Sequence, residues 1–418
     1  MSEDSFLSVE DALGCVLSLA RTGKRETIPL ESALGRVLAA DVFANRDQPP
    51  YDVSAMDGFA LISADLSAGS AVLAVSEDIK AGDQPRLVLT PGYCARIMTG
   101  APLPPGADAV LRVEDTIALP DGRVECRKKV APGNDIRRQG EGMRTGQVLL
   151  TGGTLITPGV VGILATAKCA DVEVFCRPRV AILATGDELE ALDAPLDPLR
   201  IPDSNSYALL AQVQALGCTA RRLGIALDDP VDLARLLRQG LDDCDVLLVS
   251  GGSSVGVHDH VRPVLASLGV SMHFWRVAMR PGHPLAFGTS DSGQLVFGLP
   301  GNPVSSMVCC EEFVLPALRR MMGQQRLYKR TLVARLTAPV KIRPGRTEFV
   351  RVILTRDTEG TLLATPTGTQ SSGVLLSMAR ADALLVVPAA LPGYTAGDTV
   401  RVQLIDGGEL QNEVGLET

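Results

Sequence analysis

Strands and helices alternate from residue 178 to about residue 327, and this alternation limits the fold of the chain more than any other feature. The apolar runs RVAILATG, ARRLGIAL and DVLLVSGG are typical of buried strands. They are separated by DSNSYALLAQVQALG and DDPVDLARLLRQGL, which predict helices, the first ended by Gly217 and the second begun by a proline. Strands that alternate with helices form a parallel sheet covered on both faces. Residues 178–327 are therefore predicted to be a doubly wound α/β domain.

The second half of this segment continues the pattern. A helix near 259–269 is predicted to precede two strands, MHFWRVAM and LVFGLPG. The run NPVSSMVCCEEFVLPALRRMMG predicts a helix with Asn302 as its N-cap and Pro303 as its first residue. Cys309 and Cys310 lie side by side in this run, as reduced cysteines of a buried helix would.

The segments on either side predict further domains, since 418 residues are too many for one ordinary core. Residues 8–21 carry apolar side chains at helical spacing, with Ser8 as the predicted cap. Between 47 and 146, short apolar runs such as AVLAV, RLVL and DAVLRV alternate with Gly and Pro clusters, which indicates a β-rich domain. Short strands return after 327 and predict a small β-barrel.

Composition excludes several classes of protein. The net charge of −8 argues against general nucleic-acid binding, because that role usually requires a basic surface. No apolar run reaches the roughly 18 residues of a membrane span, and the N-terminal residues lack the pattern of a secretory signal. The nine cysteines include no C-x-x-C pair and are odd in number, so a disulfide framework is not indicated. We expect a soluble, cytoplasmic protein.

Four loops with polar residues follow the predicted strands. They contain TGDEL with Glu188, LDD with Asp228 and Asp229, the glycine-rich SGGSSVGVHD, and GLPGNPVS. Ligands of open α/β sheets bind at the carboxyl ends of the strands, and carboxylates there suit Mg²⁺. Two plainer interpretations stay open, namely that the carboxylates cap helices and that the glycine-rich turn only connects a strand to a helix.

Three further stretches are rich in residues that suit anions or metals. NDIRRQGEGM contains Arg137 and Arg138, whose guanidinium groups can each engage two phosphate oxygens, although a solvated hairpin tip would have the same composition. PPYDVSAMDGFA and VAMRPGHPLAFG add acidic and cationic residues in turns. The H-x-H pattern at His258 and His260 lacks further ligands at zinc spacing, and no nucleophile elbow or P-loop is present.

Taken together, these motifs resemble the molybdopterin molybdenumtransferases of the MoeA family, which are similar to the gephyrin E domain. SAMDGFA, IMTGAPLPPGADAV, NDIRRQGE, TGDEL, DSNSYAL, SGGSSVGVHD, AMRPGHPLAFG and GLPGNPVS occur in the family's order and approximate spacing. The resemblance implies a molybdenum insertase that transfers molybdate to adenylylated molybdopterin with Mg²⁺ and releases AMP. An alternative is a divergent, weakly active or non-catalytic scaffold or carrier that binds molybdopterin.

The resemblance also implies a multidomain α/β fold of four domains. A linking domain would comprise 1–46 and 147–177, an inserted β-rich domain 47–146, a MogA-like molybdopterin-binding α/β domain 178–327, and a C-terminal β-barrel 328–418. The protein is expected to form a homodimer and to contact molybdopterin adenylyltransferase and molybdoenzyme apoproteins transiently. The site would lie between the α/β domain of one subunit and the inserted domain of the other.

The resemblance assigns roles to individual residues. The expected catalytic residues are Asp57, Glu188, Asp228 and Asp259, the last three as Mg²⁺ ligands. The expected substrate-binding residues are Thr99, Arg137, Arg138, Thr185, Gly251, Gly252, Ser254, Pro300 and Asn302. The molybdate pocket would contain Arg280, His283, Ser305, Arg346 and Ser372. Two positions depart from the family: Gly142 replaces a usual acidic residue, and His283 stands where lysine is common.

Overall fold

The computed structural model of the chain describes residues 6–251 and 260–405. They belong to two units. One comprises Thr27–Leu34 and Ala40–Val172, and the other comprises the described parts of Met1–Glu26, Gly35–Ala39 and Glu173–Thr418. The four-domain division stays a prediction.

Helix α1 (Val9–Leu19) begins at the predicted cap, where the Ser8 hydroxyl accepts the N–H of Asp11 at 3.0 Å. Its apolar face buries Ala12 and Val16 in the core of the α/β unit. The helix therefore supplies one wall of the larger unit.

The smaller unit is β-rich, as predicted. Its main sheet contains β1 (Gly58–Leu61), β2 (Ala71–Ile79), β3 (Tyr93–Ile97), β4 (Ala109–Arg112), β5 (Thr116–Ala118) and β6 (Arg123–Cys126), in the order β4-β1-β3-β2-β6-β5. Only the β2–β3 pair within this sheet is parallel. The RLVL run is not a strand: Glu77 accepts the N–H groups of Arg86 and Leu87 instead. Helix α2 (Pro158–Thr166) also lies in this unit.

The α/β sheet contains six strands within the described residues. They are β7 (Arg179–Thr185), β8 (Thr219–Ala226), β9 (Val246–Ser250), β10 (Val270–Phe274), β11 (Ala286–Ser290) and β12 (Leu295–Leu299), in the order β8-β7-β9-β12-β11-β10. The predicted parallel sheet is mixed, because β11, next to the edge strand β10, runs antiparallel to both of its neighbours. Strands β7, β8, β9 and β12 are parallel, so their carboxyl ends share one edge.

Helices cover both faces of this sheet. On β7, Val180 and Ile182 belong to one apolar cluster with residues of α1 and α3 (Asn205–Ala215), whereas Ala181 and Leu183 belong to a second cluster with residues of α4 (Pro230–Leu241) and α5 (Val261–Ser267). Successive side chains of a strand point to opposite faces, which is why a nearly continuous apolar run is required here.

The long helix near the end of this domain has three parts. Helix α6 (Pro303–Cys309) leads into a wider π-helical turn (Cys310–Val314) and then into α7 (Leu315–Met321). Pro316 has no N–H to donate to the carbonyl four residues before it, which accounts for the irregular turn at this point. Cys309 and Cys310 are free and buried, and burial raises the pKa of both thiols.

Five strands of the C-terminal segment close into a ring, which confirms the predicted barrel. They are β13 (Thr331–Leu336), β14 (Thr347–Arg356), β15 (Leu362–Pro366), β16 (Ala383–Val387) and β17 (Thr399–Leu404). Strand β14 pairs with both β15 and β16, and β17 pairs with both β16 and β13, while β13 pairs with β15. Helix α8 (Leu375–Ala379) connects β15 to β16.

Shorter strands complete the fold. Their bounds are Arg25–Pro29, Val42–Phe43, Val53–Ser54, Ile136–Arg137, Val148–Leu150, Asp171–Phe175, Leu189–Glu190, Ile201–Pro202, Met279–Arg280, Val340–Lys341 and Gly393–Tyr394. The predicted strand MHFWRVAM is interrupted after Phe274, and Met279–Arg280 instead pairs with the start of β14. Across the described part of the chain, no helix is long and apolar enough to span a membrane.

Candidate functional site

The carboxyl ends of the four parallel strands open into a cavity of about 930 Å³. Its wall includes six residues that were predicted for the site: Thr185, Glu188, Asp228, Gly251, Pro300 and Asn302. The crevice therefore lies where the sequence placed it. Gly252, Ser254 and Asp259 lie outside the described residues, and their roles stay predictions.

Two of the strand-end carboxylates remain available to a ligand. The Thr185 hydroxyl donates to Asp228 Oδ1 at 3.2 Å, and both residues line the cavity. Glu188 folds back over Gly186, where an added Cβ would come within 2.4 Å of its Oε2. By contrast, Asp229 is a helix cap, since it accepts the N–H groups of Val231 and Asp232. The alternative interpretation, in which the carboxylate only caps a helix, thus holds for Asp229.

Backbone hydrogen bonds limit which N–H groups near Gly251 and Asn302 are free to bind a ligand. Gly251 has φ +94°, and a Cβ there would lie 2.2 Å from the Thr185 carbonyl oxygen, so only glycine fits. Its N–H donates to the Leu299 carbonyl rather than to a ligand. At the start of α6, Asn302 makes no side-chain cap bond, and the Val304 N–H donates to the Ser372 carbonyl. These two N–H groups are therefore not free to bind an anion.

A second cavity of about 740 Å³ adjoins the first. All five residues predicted for the molybdate pocket line it: Arg280, His283, Ser305, Arg346 and Ser372. His283, Pro284, Pro300 and Asn302 line both cavities and form what we call the shared wall. A ligand in one cavity would consequently lie next to a ligand in the other.

Cationic side chains near the second cavity are held by neighbours; Arg280 and Arg346 line it, and Arg276 lines the first cavity. Arg280 forms an ion pair with Glu348 at 3.4 Å. The Arg346 and Arg276 guanidinium groups lie 5.0 and 5.8 Å from the centre of the Phe6 ring, within cation–π range. Burial, together with these two arginines, lowers the pKa of His283. The imidazole is therefore predominantly neutral at neutral pH.

Arg351 also lines the second cavity, although it is not among the residues predicted from the sequence. The residue is 1% exposed, its Nε donates to Ser377 Oγ at 3.3 Å, and its Nη2 donates to the Ser371 carbonyl at 3.2 Å. Burial lowers the pKa of this guanidinium to about 10, so it stays charged at neutral pH. A signal was present, because an arginine within the apolar run FVRVIL is rarely buried without a polar purpose.

In the β-rich unit, Asp57 and Thr99 contact each other directly. The Thr99 N–H and hydroxyl both donate to Asp57 Oδ1 at 2.7 Å, and these hydrogen bonds lower the pKa of the carboxyl. Asp57 is exposed, so its ionised carboxylate is accessible to a ligand.

The two predicted arginines of this unit lie beside carboxylates. Arg138 Nη1 donates to Asp52 Oδ2 at 2.6 Å, and Arg137 lies 3.8 Å from Glu141. Gly142 follows at an exposed position and donates its N–H to the Gln48 carbonyl. These arginines are thus partly neutralised in the free protein, and their phosphate-binding role stays a prediction.

Comparison with known proteins agrees with this geometry. Residues 181–320 match a probable molybdopterin binding domain, residues 7–167 match the MoeA N-terminal region (domain I and II), and residues 333–405 match the MoeA C-terminal region (domain IV). The match over residues 181–320, the domain whose strand ends form the crevice, places the chain in the class of molybdopterin-binding proteins.

Full-length relatives make the assignment specific. Molybdopterin molybdenumtransferase 2 of Mycobacterium tuberculosis is 36% identical over 94% of this chain and 98% of its own length. The molybdopterin molybdenumtransferase of Bacillus subtilis is 36% identical over 96% of this chain and 94% of its own. The crystal structure of the molybdopterin biosynthesis MoeA protein from Pyrococcus horikoshii is 28% identical, with a TM-score of 0.83, over 96% of this chain and 100% of that chain.

The chain belongs to the MoeA family of molybdopterin molybdenumtransferases. It is an enzyme of molybdenum cofactor biosynthesis.

Proposed function

We propose that this enzyme transfers molybdate to adenylylated molybdopterin and releases AMP. The observation that carries the proposal is the pair of adjoining cavities with a shared wall. The larger one, of about 930 Å³, carries two carboxylates, and the smaller one carries arginines that suit a tetrahedral dianion. Two substrates bound side by side react as an effectively unimolecular pair.

The smaller cavity supports an extended set of molybdate contacts. Arg280, Arg346 and Arg351 supply positive charge, and Ser305 and Ser372 supply hydroxyl donors at its wall. Because the Arg351 guanidinium is already buried and oriented by Ser371, little reorganisation is needed when the anion enters.

The donor set of the larger cavity suits Mg²⁺. Within residues 6–251 and 260–405 no group of three or more His, Cys, Asp or Glu side chains is arranged to hold a metal. Mg²⁺ takes carboxylate oxygens and completes its octahedral shell with water and substrate phosphate. We infer that Glu188 and Asp228 hold it together with Asp259. The ion would stabilise the negative charge that develops as AMP leaves.

We also propose a homodimer in which Asp57, Thr99, Arg137 and Arg138 act from the second subunit. Helix α2 has the apolar sequence PGVVGILAT and buries only Leu164, so an apolar face is left for a partner such as a second copy. Molecular mass in solution tests this part of the proposal.

The nine cysteines are all free, which supports a place in the reducing cytoplasm.

Purified protein incubated with adenylylated molybdopterin, molybdate and Mg²⁺ should release AMP in a molybdate-dependent manner. Chromatography of the nucleotide products measures this directly. Tight pterin binding without any AMP would instead support the scaffold or carrier alternative, and it would refute the proposed transfer.

The pH dependence of molybdate binding tests His283. Protonated imidazole attracts the dianion and neutral imidazole does not, so binding should weaken as pH rises through the pKa of His283. Since burial and the neighbouring arginines lower that pKa below 6.5, the change should fall on the acid side of this value. The KM for molybdate, measured between about pH 5 and pH 8, shows the effect. His283→Lys should abolish it, and a flat profile in the parent enzyme would refute the assigned role.

Restoring a carboxylate at position 142 tests the other departure from the family. Gly142→Asp should accelerate AMP release about threefold to tenfold, less than the 10²-fold or more expected of a fully positioned acid or base. An added Cβ would lie 3.1 Å from the Gln48 carbonyl oxygen, so some local strain accompanies any substitution. Gly142→Ala carries the same strain without the charge and is the matched control. Equal rates in the two variants would contradict a role for the carboxylate.

A further inference from the structure

The side-chain amide of Asn205 links the start of a helix, the end of a strand and a turn at the edge of the α/β sheet. Its Nδ2 donates to Ser250 Oγ at 2.8 Å and to the Gly301 carbonyl at 2.7 Å. Asn205 is the first residue of α3, Ser250 is the last residue of β9, and Gly301 lies in the turn after β12. Because a carbonyl only accepts hydrogen bonds, the amide nitrogen must face Gly301, which fixes the orientation of the side chain.

The first turn of α3 holds Asn205 rigidly. Asp203 is 1% exposed and accepts both the N–H and the hydroxyl of Ser206, so this carboxylate anchors the helix start. Arg222 donates to the Ser206 hydroxyl at 2.7 Å and lies over the Tyr207 ring at 3.5 Å. The position of Asn205 is thus fixed, and its side chain holds the neighbouring segments through hydrogen bonds.

The turn that Asn205 holds is part of the shared wall. Pro300 and Asn302, which flank Gly301 on either side, line both cavities. A shift of the Gly301 carbonyl would therefore move the boundary between the cavities without removing any side chain that lines the smaller one. The DSNSYAL motif, which the family resemblance includes without a role, acquires one from this geometry.

We propose that Asn205 is a positioning residue for the transfer step, because it sets the distance between the two substrate cavities through the shared wall. The inference rests on the proposed function, since it concerns how the two substrates meet. Loss of the amide should leave each substrate bound but misaligned. A displacement of about 1 Å at a reacting centre can cost up to 10²-fold in rate.

Two substitutions test the proposal kinetically. Asn205→Ala removes the amide, and Asn205→Asp keeps its size but places a carboxylate against the Gly301 carbonyl. Both should lower kcat about tenfold, within the range for misplaced reactants, while the KM values for molybdate and adenylylated molybdopterin stay near the parental ones. Gln214→Ala removes an exposed amide from the same helix and is the matched control. A raised KM at unchanged kcat would overturn positioning in favour of direct ligand contact.

Hydrogen exchange supplies a readout that does not depend on turnover. The amides of Leu299, Gly301, Asn302 and Val304 should exchange faster in Asn205→Ala than in Gln214→Ala, at a temperature where thermal melting shows all variants folded. If the parent enzyme releases no AMP, the proposed function fails, yet exchange still decides whether Asn205 holds this turn. Unchanged exchange in both Asn205 variants would overturn the inference.

Discussion

Asp228→Asn should slow AMP release by about 10²- to 10³-fold, the loss expected when a charge that acts at a reacting centre is removed. Asp228 Oδ1 accepts from the Thr185 hydroxyl, and the asparagine oxygen can accept the same hydrogen bond. The substitution therefore removes charge and keeps local geometry. Initial rates of AMP formation at saturating substrates and Mg²⁺ measure the effect.

The adjacent Asp229 offers a control with the same change in charge. Its carboxylate caps α4 through the N–H groups of Val231 and Asp232, and asparagine caps a helix about equally well. Asp229→Asn should consequently keep the parental rate and melting temperature. Equal losses in the two variants would show that the overall charge of the loop matters, and the specific role of Asp228 would then be refuted.

Arg351→Met should raise the KM for molybdate about 10- to 100-fold, because a hydrogen bond to a charged group contributes roughly 1.5–3 kcal/mol. The methionine fills much of the same volume but lacks the charge. Stability should change little, since relief from burying the guanidinium offsets the hydrogen bonds lost to Ser371 and Ser377. Steady-state kinetics and thermal unfolding together separate the two effects.

Arg343 provides the comparison for this substitution. It is exposed and lies outside the lining of both cavities. Arg343→Met removes one positive charge from the same domain and should leave the KM for molybdate unchanged. A similar rise in both variants would mean that long-range charge, not the buried guanidinium, governs binding of the anion.

The sequence was sufficient to predict the site wherever the signal is periodic and local. Apolar runs of strand length, separated by helical segments, put Thr185, Asp228 and Gly251 at one edge of a parallel sheet. The direction of the strands alone determines that their carboxyl ends meet at one edge, so this prediction required no knowledge of tertiary contacts. The antiparallel direction of β11 was beyond this logic, because it depends on how the chain returns after the turn at 280–283.

Features that depend on close tertiary contact could not be predicted. The N–H of Gly251 is used by Leu299 and that of Val304 by Ser372, and neither pairing leaves a pattern in the local sequence. The same is true of Asn205, whose two acceptors are 45 and 96 residues away along the chain. Arg351 differs, because the sequence shows a charged residue within an apolar strand but does not show in which direction its side chain points.

The pairing of Met279–Arg280 with the first residues of β14 has a consequence for how such enzymes diversify. The same barrel strand also carries Arg351, so the arginines that line the second cavity come from two distant stretches of the polypeptide. Under the proposed roles, substitutions in the barrel would change the preference among oxyanions of equal charge while Glu188 and Asp228 are retained. The proposed contacts to the inorganic substrate would then evolve separately from the residues proposed to act on nucleotide release.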